Sequence, residues 1–229
     1  MVRPQVFWFW VAISATFPFA LYSFLTYLSR FQKPSTAELV RFLRGADLKR
    51  LFELFLTDGA LRGLTSRRRF LQGERRRLHE AREIMRAVRY SMPVLMAWAS
   101  SELHREAGFL KTGEGDEQTA DLVDGHRQLL PAARDFHRYA LLALFKINVW
   151  RVFCTHWWLP LPVPRIASLQ KILGREFFLA YGHIFKAVAE VTGQYDDGFA
   201  EEVLAALFRI KDPEAMLALW RQSGMLKST

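Results

Sequence analysis

The residues that decide the fold are 66–107, SRRRFLQGERRRLHEAREIMRAVRYSMPVLMAWASSELHREA. Leu71, Leu78, Ala81, Met85 and Val88 recur at steps of three, four and seven residues, which places them on one stripe of a 3.6-residue helix. Alternation with period two, the mark of a half-buried strand, does not persist anywhere in the chain. The pattern predicts a long helix over Ser66–Ala107, with an interruption at Gly73 and a bend at Pro93. The fold class expected is all-α.

The same stretch dominates the charge. Between Arg62 and Arg89 there are ten arginines against three glutamates, which is +7 of the chain's net +9. Charge runs of this kind are usually solvated helix faces. Guanidinium forks also match phosphates and carboxylates bidentately, so a basic helix near a membrane suits anionic headgroups or an acidic partner segment. Arg67, Arg68, Arg69, Arg75, Arg76 and Arg77 are the candidate contacts. Nucleic acid ranks last among these partners. Stacking on bases wants aromatic residues interleaved with the cations, and only Phe70 and Tyr90 occur here.

Outward from this helix, further helices follow from periodicity and caps. Ser35 and Glu38 have the spacing of a capping box, opening a helix that ends near Gly45. Asp47 precedes a short helix over residues 48–56. A second long helix is expected from Pro131 to Leu159, stopped by Pro160, Pro162 and Pro164. A third covers Ile166–Thr192, closed by Gly193, and a fourth covers Ala200–Ile210 after Asp196 and Asp197. Asp212-Pro213 reads as the start of a last helix. Thr112–Asp124 holds five acidic residues and no basic ones, which predicts a solvated acidic loop.

Toward the N-terminus the pattern changes. Val6–Leu28, VFWFWVAISATFPFALYSFLTYL, lies in a run without a charged side chain between Arg3 and Arg30. A helix of 23 residues rises about 35 Å, enough for a hydrocarbon layer of about 30 Å. Trp8, Trp10, Tyr27 and Arg30 stand toward its ends, where amphipathic side chains anchor at the headgroups. The organisation expected is a membrane anchor at 1–33, spanning about 6–28, followed by one helical body at 34–229 with its acidic loop near 112–124. Cations cluster after the span, so the positive-inside bias sets the N-terminus outside and the body on the matrix or cytoplasmic side. Tyr139–Leu159 is also apolar, but Lys146 and Arg151 each cost about 2.5–3.5 kcal/mol at a bilayer centre. That favours a core or interfacial helix over a second span, with Trp150, Trp157 and Trp158 suited to a headgroup surface.

Chemistry-bearing residues are sparse. With one cysteine among 229 residues the chain builds neither a disulfide framework nor a thiolate metal cluster. Its 51% hydrophobic content excludes intrinsic disorder. Six histidines carry no metal-binding motif. His126 and His137 are eleven residues apart, about 16 Å along a helix, which is too far for one metal ion. His156, amid aromatic residues, is the remaining ligand candidate, and Cys154 reads as an inert buried thiol. No cofactor is implied.

The expectation is a non-enzymatic structural or accessory subunit of a multi-subunit membrane complex. Other subunits and anionic phospholipid are its partners, in a mitochondrial inner or bacterial plasma membrane. The alternatives are a membrane-tethered enzyme or cofactor-binding protein using histidines, and a peripheral anionic-lipid-binding factor.

Overall fold

The computed structural model describes residues 34–56, 67–155 and 169–209, and among them there are helices and turns but no strand. The span expected at 6–28, the helix expected after Asp212, and His156, Trp157 and Trp158 lie outside these residues. A 3-10 turn, Thr36–Glu38, leads into α1 (Leu39–Phe42), and α2 is Leu48–Leu56. Two long helices follow, α3 (Arg67–Thr112) and α4 (Glu117–Thr155). The described body ends with α5 (Leu169–Gly193) and α6 (Asp197–Phe208). No helix of the described residues is long and apolar enough to cross a membrane.

The core is an antiparallel hairpin of α3 and α4, with α5 packed on α4, α6 on α5, and the short α1 and α2 laid over α3. The stripe expected on α3 is the one it buries: Leu71, Leu78, Ala81, Met85 and Val88 all face the core, continuing through Met92, Leu95, Trp98 and Ala99. From α4, Phe136 meets Phe177 and Tyr181 of α5 and Phe208 of α6, with ring centroids 5.2–6.5 Å apart. Aromatic pairs at these separations add attraction beyond the area they bury.

Several local expectations are corrected. The helix over 66–107 runs on to Thr112, and Gly73 does not interrupt it. Ser35 makes no side-chain cap; its carbonyl accepts the Glu38 and Leu39 amides instead, which closes a 3-10 turn. Asp47 does cap α2, its Oδ1 accepting the Arg50 amide at 2.8 Å. The acidic segment is a loop only at residues 113–116. Gly113 turns the chain at φ 76°, a conformation free of strain only without a Cβ, and Asp116 then caps α4 by accepting the Thr119 amide and hydroxyl at 2.9 and 2.8 Å. That amide bond, then the hydroxyl, holds the Asp116 carboxyl below its ordinary pKa. Glu117, Asp121 and Asp124 sit on the first turns of α4, where the helix dipole favours negative charge.

Pro131 does not start α4; it lies fourteen residues inside it. A proline in a helix interior forfeits one amide bond and crowds the preceding turn. The buried Leu129, Ala133 and Phe136 around it show why the helix continues: packing against α3 and α5 outweighs the local loss. In α5 the backbone leaves helical geometry at Gly174, with φ 74° and ψ 165°.

The two ends of the described body meet. The Ala46 amide donates to the Leu207 carbonyl at 2.8 Å, tying the α1–α2 link to the last turn of α6. Ser91 of α3 accepts the Arg44 amide and donates to the Arg44 carbonyl, both at 2.8 Å, so one buried hydroxyl satisfies both backbone groups of that residue.

Candidate functional site

Two features stand out against the apolar core: a buried polar cluster near the closed end of the hairpin, and an unburied apolar face toward its open end. The cluster grows from the α3 stripe itself. Three and seven residues after Ala99 the inward position falls to Glu102 and Glu106, both carboxylates buried. An uncompensated buried carboxylate is costly, so partners have to be supplied. Thr36 donates to Glu102 Oε1 at 3.2 Å and accepts the Trp98 indole N–H at 3.2 Å. The half-exposed Arg105 pairs with Glu102 Oε2 and stands 3.7 Å from Glu106 Oε1. Tyr195, in the turn between α5 and α6, donates to Glu106 Oε1 at 2.8 Å. Burial first, and that carboxylate second, push the phenol pKa up.

His126 closes the cluster from α4. Its Nδ1 donates to the Leu122 carbonyl at 2.7 Å and lies 3.4 Å from Glu106 Oε2. The ring is fully buried, 5.3 Å from Trp98 and 6.1 Å from Tyr195. His137 lies eleven residues further along the same unbroken helix, about 16 Å away, so the structure does not bring the two histidines together. No set of three or more His, Cys, Asp or Glu among the described residues is arranged to hold a metal ion. The cluster joins the entry turn, α3, α4 and the α5–α6 turn through seven side chains. Its geometry is that of a clamp. Sequence reading passed over Glu102 and Glu106; their signal was two carboxylates spaced i, i+4 on an otherwise apolar stripe.

The arginine tract divides three ways. Arg67, Arg68 and Arg69 lie on the first turn of α3, and their side chains are outside the described residues. Arg75 and Arg76 are exposed. Arg77 is turned inward: it pairs with Glu74 at 2.8 Å and donates to the Leu54 carbonyl, pinning the end of α2 to α3. It is therefore withdrawn from the surface where sequence reading placed it. Trp8, Trp10, Tyr27 and Arg30 lie outside the described residues. Cys154 is buried, and burial, with the Glu74 charge adding, pushes its thiol up to about 12, far from the thiolate a nucleophile needs.

The apolar face belongs to α4. Its first half carries Arg127, Arg134 and Arg138 outward, as a solvated helix should. One turn later the same face is Leu141, Leu142, Phe145, Val149 and Val152, exposed by 38, 48, 66, 41 and 58%. Trp150, by contrast, is buried, which corrects its expected place on a headgroup surface. No protein-family model, curated protein or solved structure matches the chain.

Proposed function

We propose that this chain is a non-catalytic structural or accessory subunit of a multi-subunit membrane complex. The N-terminal apolar run holds it in a mitochondrial inner or bacterial plasma membrane, and the helical body rests on the matrix or cytoplasmic side. The observation that carries this reading is the outer face of α4. Five large apolar side chains on successive turns of one helix stay uncovered, and contiguous patches of this kind mark surfaces that meet a protein or a membrane. The polar clamp adds a body whose buried charges are spent on joining helices.

The test is purification of the full chain from its own membrane in mild detergent, with identification of the accompanying chains. The proposal expects a reproducible set of membrane subunits. Recovery as a lone, stable monomer would overturn it.

A further inference from the structure

We infer that the outward face of α3 over residues 75–89 docks the body on anionic phospholipid headgroups, through Arg75, Arg76 and Arg89 with Arg44 beside them. This inference rests on the membrane placement proposed above and names which side of the body meets the leaflet.

The face follows from the stripe that α3 buries. With Leu78, Ala81, Met85 and Val88 turned inward, the helix carries Arg75, His79 and Arg86 outward at steps of four and seven, flanked by Arg76 and Arg89. All five side chains are exposed, along about 21 Å of helix. The glutamates of this stretch are engaged. Glu74 is buried against Arg77, and Glu80 pairs with Arg50 of α2 at 2.8 Å. Glu83 pairs with Arg86 at 2.7 Å and acts also on the half-buried Arg82, so neither of these arginines counts as surplus. Arg75, Arg76 and Arg89 have no carboxylate partner among the described residues. A fourth cation arrives from the α1–α2 link: the exposed Arg44 stands 3.9 Å over the Tyr90 ring, one turn from Arg86.

Like charges gathered without counter-charge repel one another, and an anionic leaflet relieves that cost. Each cation brought to such a surface strengthens docking about fivefold, and guanidinium forks match its phosphate oxygens. Position selects a leaflet over other polyanions. Pro34 is six residues from Leu28, where the apolar run ends, which is about 20 Å of chain at full extension. Two residues on, Thr36 accepts the Trp98 indole N–H, and Trp98 is about 14 Å along α3 from Arg89. The chain therefore enters the body close to this face. A nucleic-acid face would need free aromatic rings for stacking, and Tyr90, the ring beside these arginines, already lies under Arg44.

Fluorescence quenching from the headgroup layer tests this on the full chain. In a Cys154→Ala background, a single dye is placed at His79→Cys, on this face, or at His183→Cys, an exposed position on α5. Each protein is reconstituted in phosphatidylcholine vesicles with and without phosphatidylglycerol, doped with a lipid that carries a nitroxide on its headgroup. With phosphatidylglycerol, the dye at 79 should be quenched well beyond the dye at 183. The excess should vanish in phosphatidylcholine alone, and in about 1 M salt, where charges are screened within about 3 Å. Arg75→Gln/Arg76→Gln/Arg89→Gln should weaken docking about a hundredfold, at about fivefold per cation, and remove the excess. These substitutions are exposed and leave the fold intact. Equal quenching at 79 and 183 in the anionic vesicles overturns the inference, as does an excess that survives the triple change. Salt-sensitive binding of duplex DNA that the triple change abolishes, without any excess quenching, overturns it in favour of nucleic acid. Each of these results leaves the accessory-subunit reading standing. Failure of the full chain to associate with any vesicle overturns both.

Discussion

Replacing Tyr195 by Phe removes one oxygen atom and keeps the ring. That ring packs 6.1 Å from Trp98 and 6.0 Å from Phe199, so the apolar contacts persist and the hydroxyl is the variable. What is lost is a 2.8 Å bond to the buried Glu106 carboxylate. Hydrogen bonds to charged groups contribute about 1.5–3 kcal/mol, and a buried acceptor left short adds its desolvation cost. Arg105, 3.7 Å from the same oxygen and half in water, compensates little. The expected loss is about 2–3 kcal/mol, or a Tm lower by roughly 5–10 °C for a body of this size. Thermal unfolding of the full chain in mild detergent, followed by near-ultraviolet circular dichroism, reads it directly. Combining Tyr195→Phe with Glu106→Gln should show coupling above about 1 kcal/mol, since the two share one bond. A Tyr195→Phe protein within 0.5 kcal/mol of the parent would refute the clamp.

The Arg77→Ala change should cost about 3–5 kcal/mol, because it removes the 2.8 Å cationic partner of the buried Glu74, whereas Arg75→Ala should stay within about 0.5 kcal/mol; paired denaturant titrations compare them. At Gly125 an added Cβ would meet Val191 Cγ2 at 2.9 Å, so Gly125→Ala should destabilise by about 1–3 kcal/mol. Gly182 in α5 has open space, and Gly182→Ala should instead stabilise by about 0.5–1 kcal/mol, with a Tm that rises. Alkaline pH has a defined sign. Burial raises the pKa of Cys154, Tyr181 and Tyr195 in the folded state, so their contribution is complete below the ordinary values of 9.0 and 10.0 and is lost as pH climbs toward and past 12. Tm should therefore fall steadily above pH 9, with Cys154→Ala flattening the first part of the slope, and a profile level to pH 11 would contradict the burial of all three.

Much of the fold was legible because helix periodicity is a local property. The α3 stripe, the Asp47 cap and the Gly193 stop are each written in a few adjacent residues, and each sits as read. What escaped depends on residues distant in sequence. Pro131 reads locally as a helix start, and only the packing of its buried neighbours on α3 and α5 carries the helix through it. Arg77 looks like Arg75 and Arg76 in sequence, but the 3.6-residue turn points it at the Leu54 carbonyl. The acidic run reads as a loop until Asp116 is seen to cap a helix whose first turns use the remaining carboxylates. Glu102, Glu106 and Tyr195 are brought together only by the hairpin and the α5–α6 turn, across 89 residues between the last two. The apolar half of α4 reads as an interfacial or core helix, and the structure buries Ala140, Ala143 and Ile147 while leaving Phe145 and Val152 exposed.

The account turns on whether this body lives on a membrane as part of an assembly. Membranes from the native source, washed with alkaline carbonate, then solubilised in mild detergent and run on a native gel, measure both at once. The account predicts that the chain stays in the carbonate pellet and migrates within a complex well above its own 26.6 kDa. Release into the carbonate wash, or migration as a monomer, would contradict it.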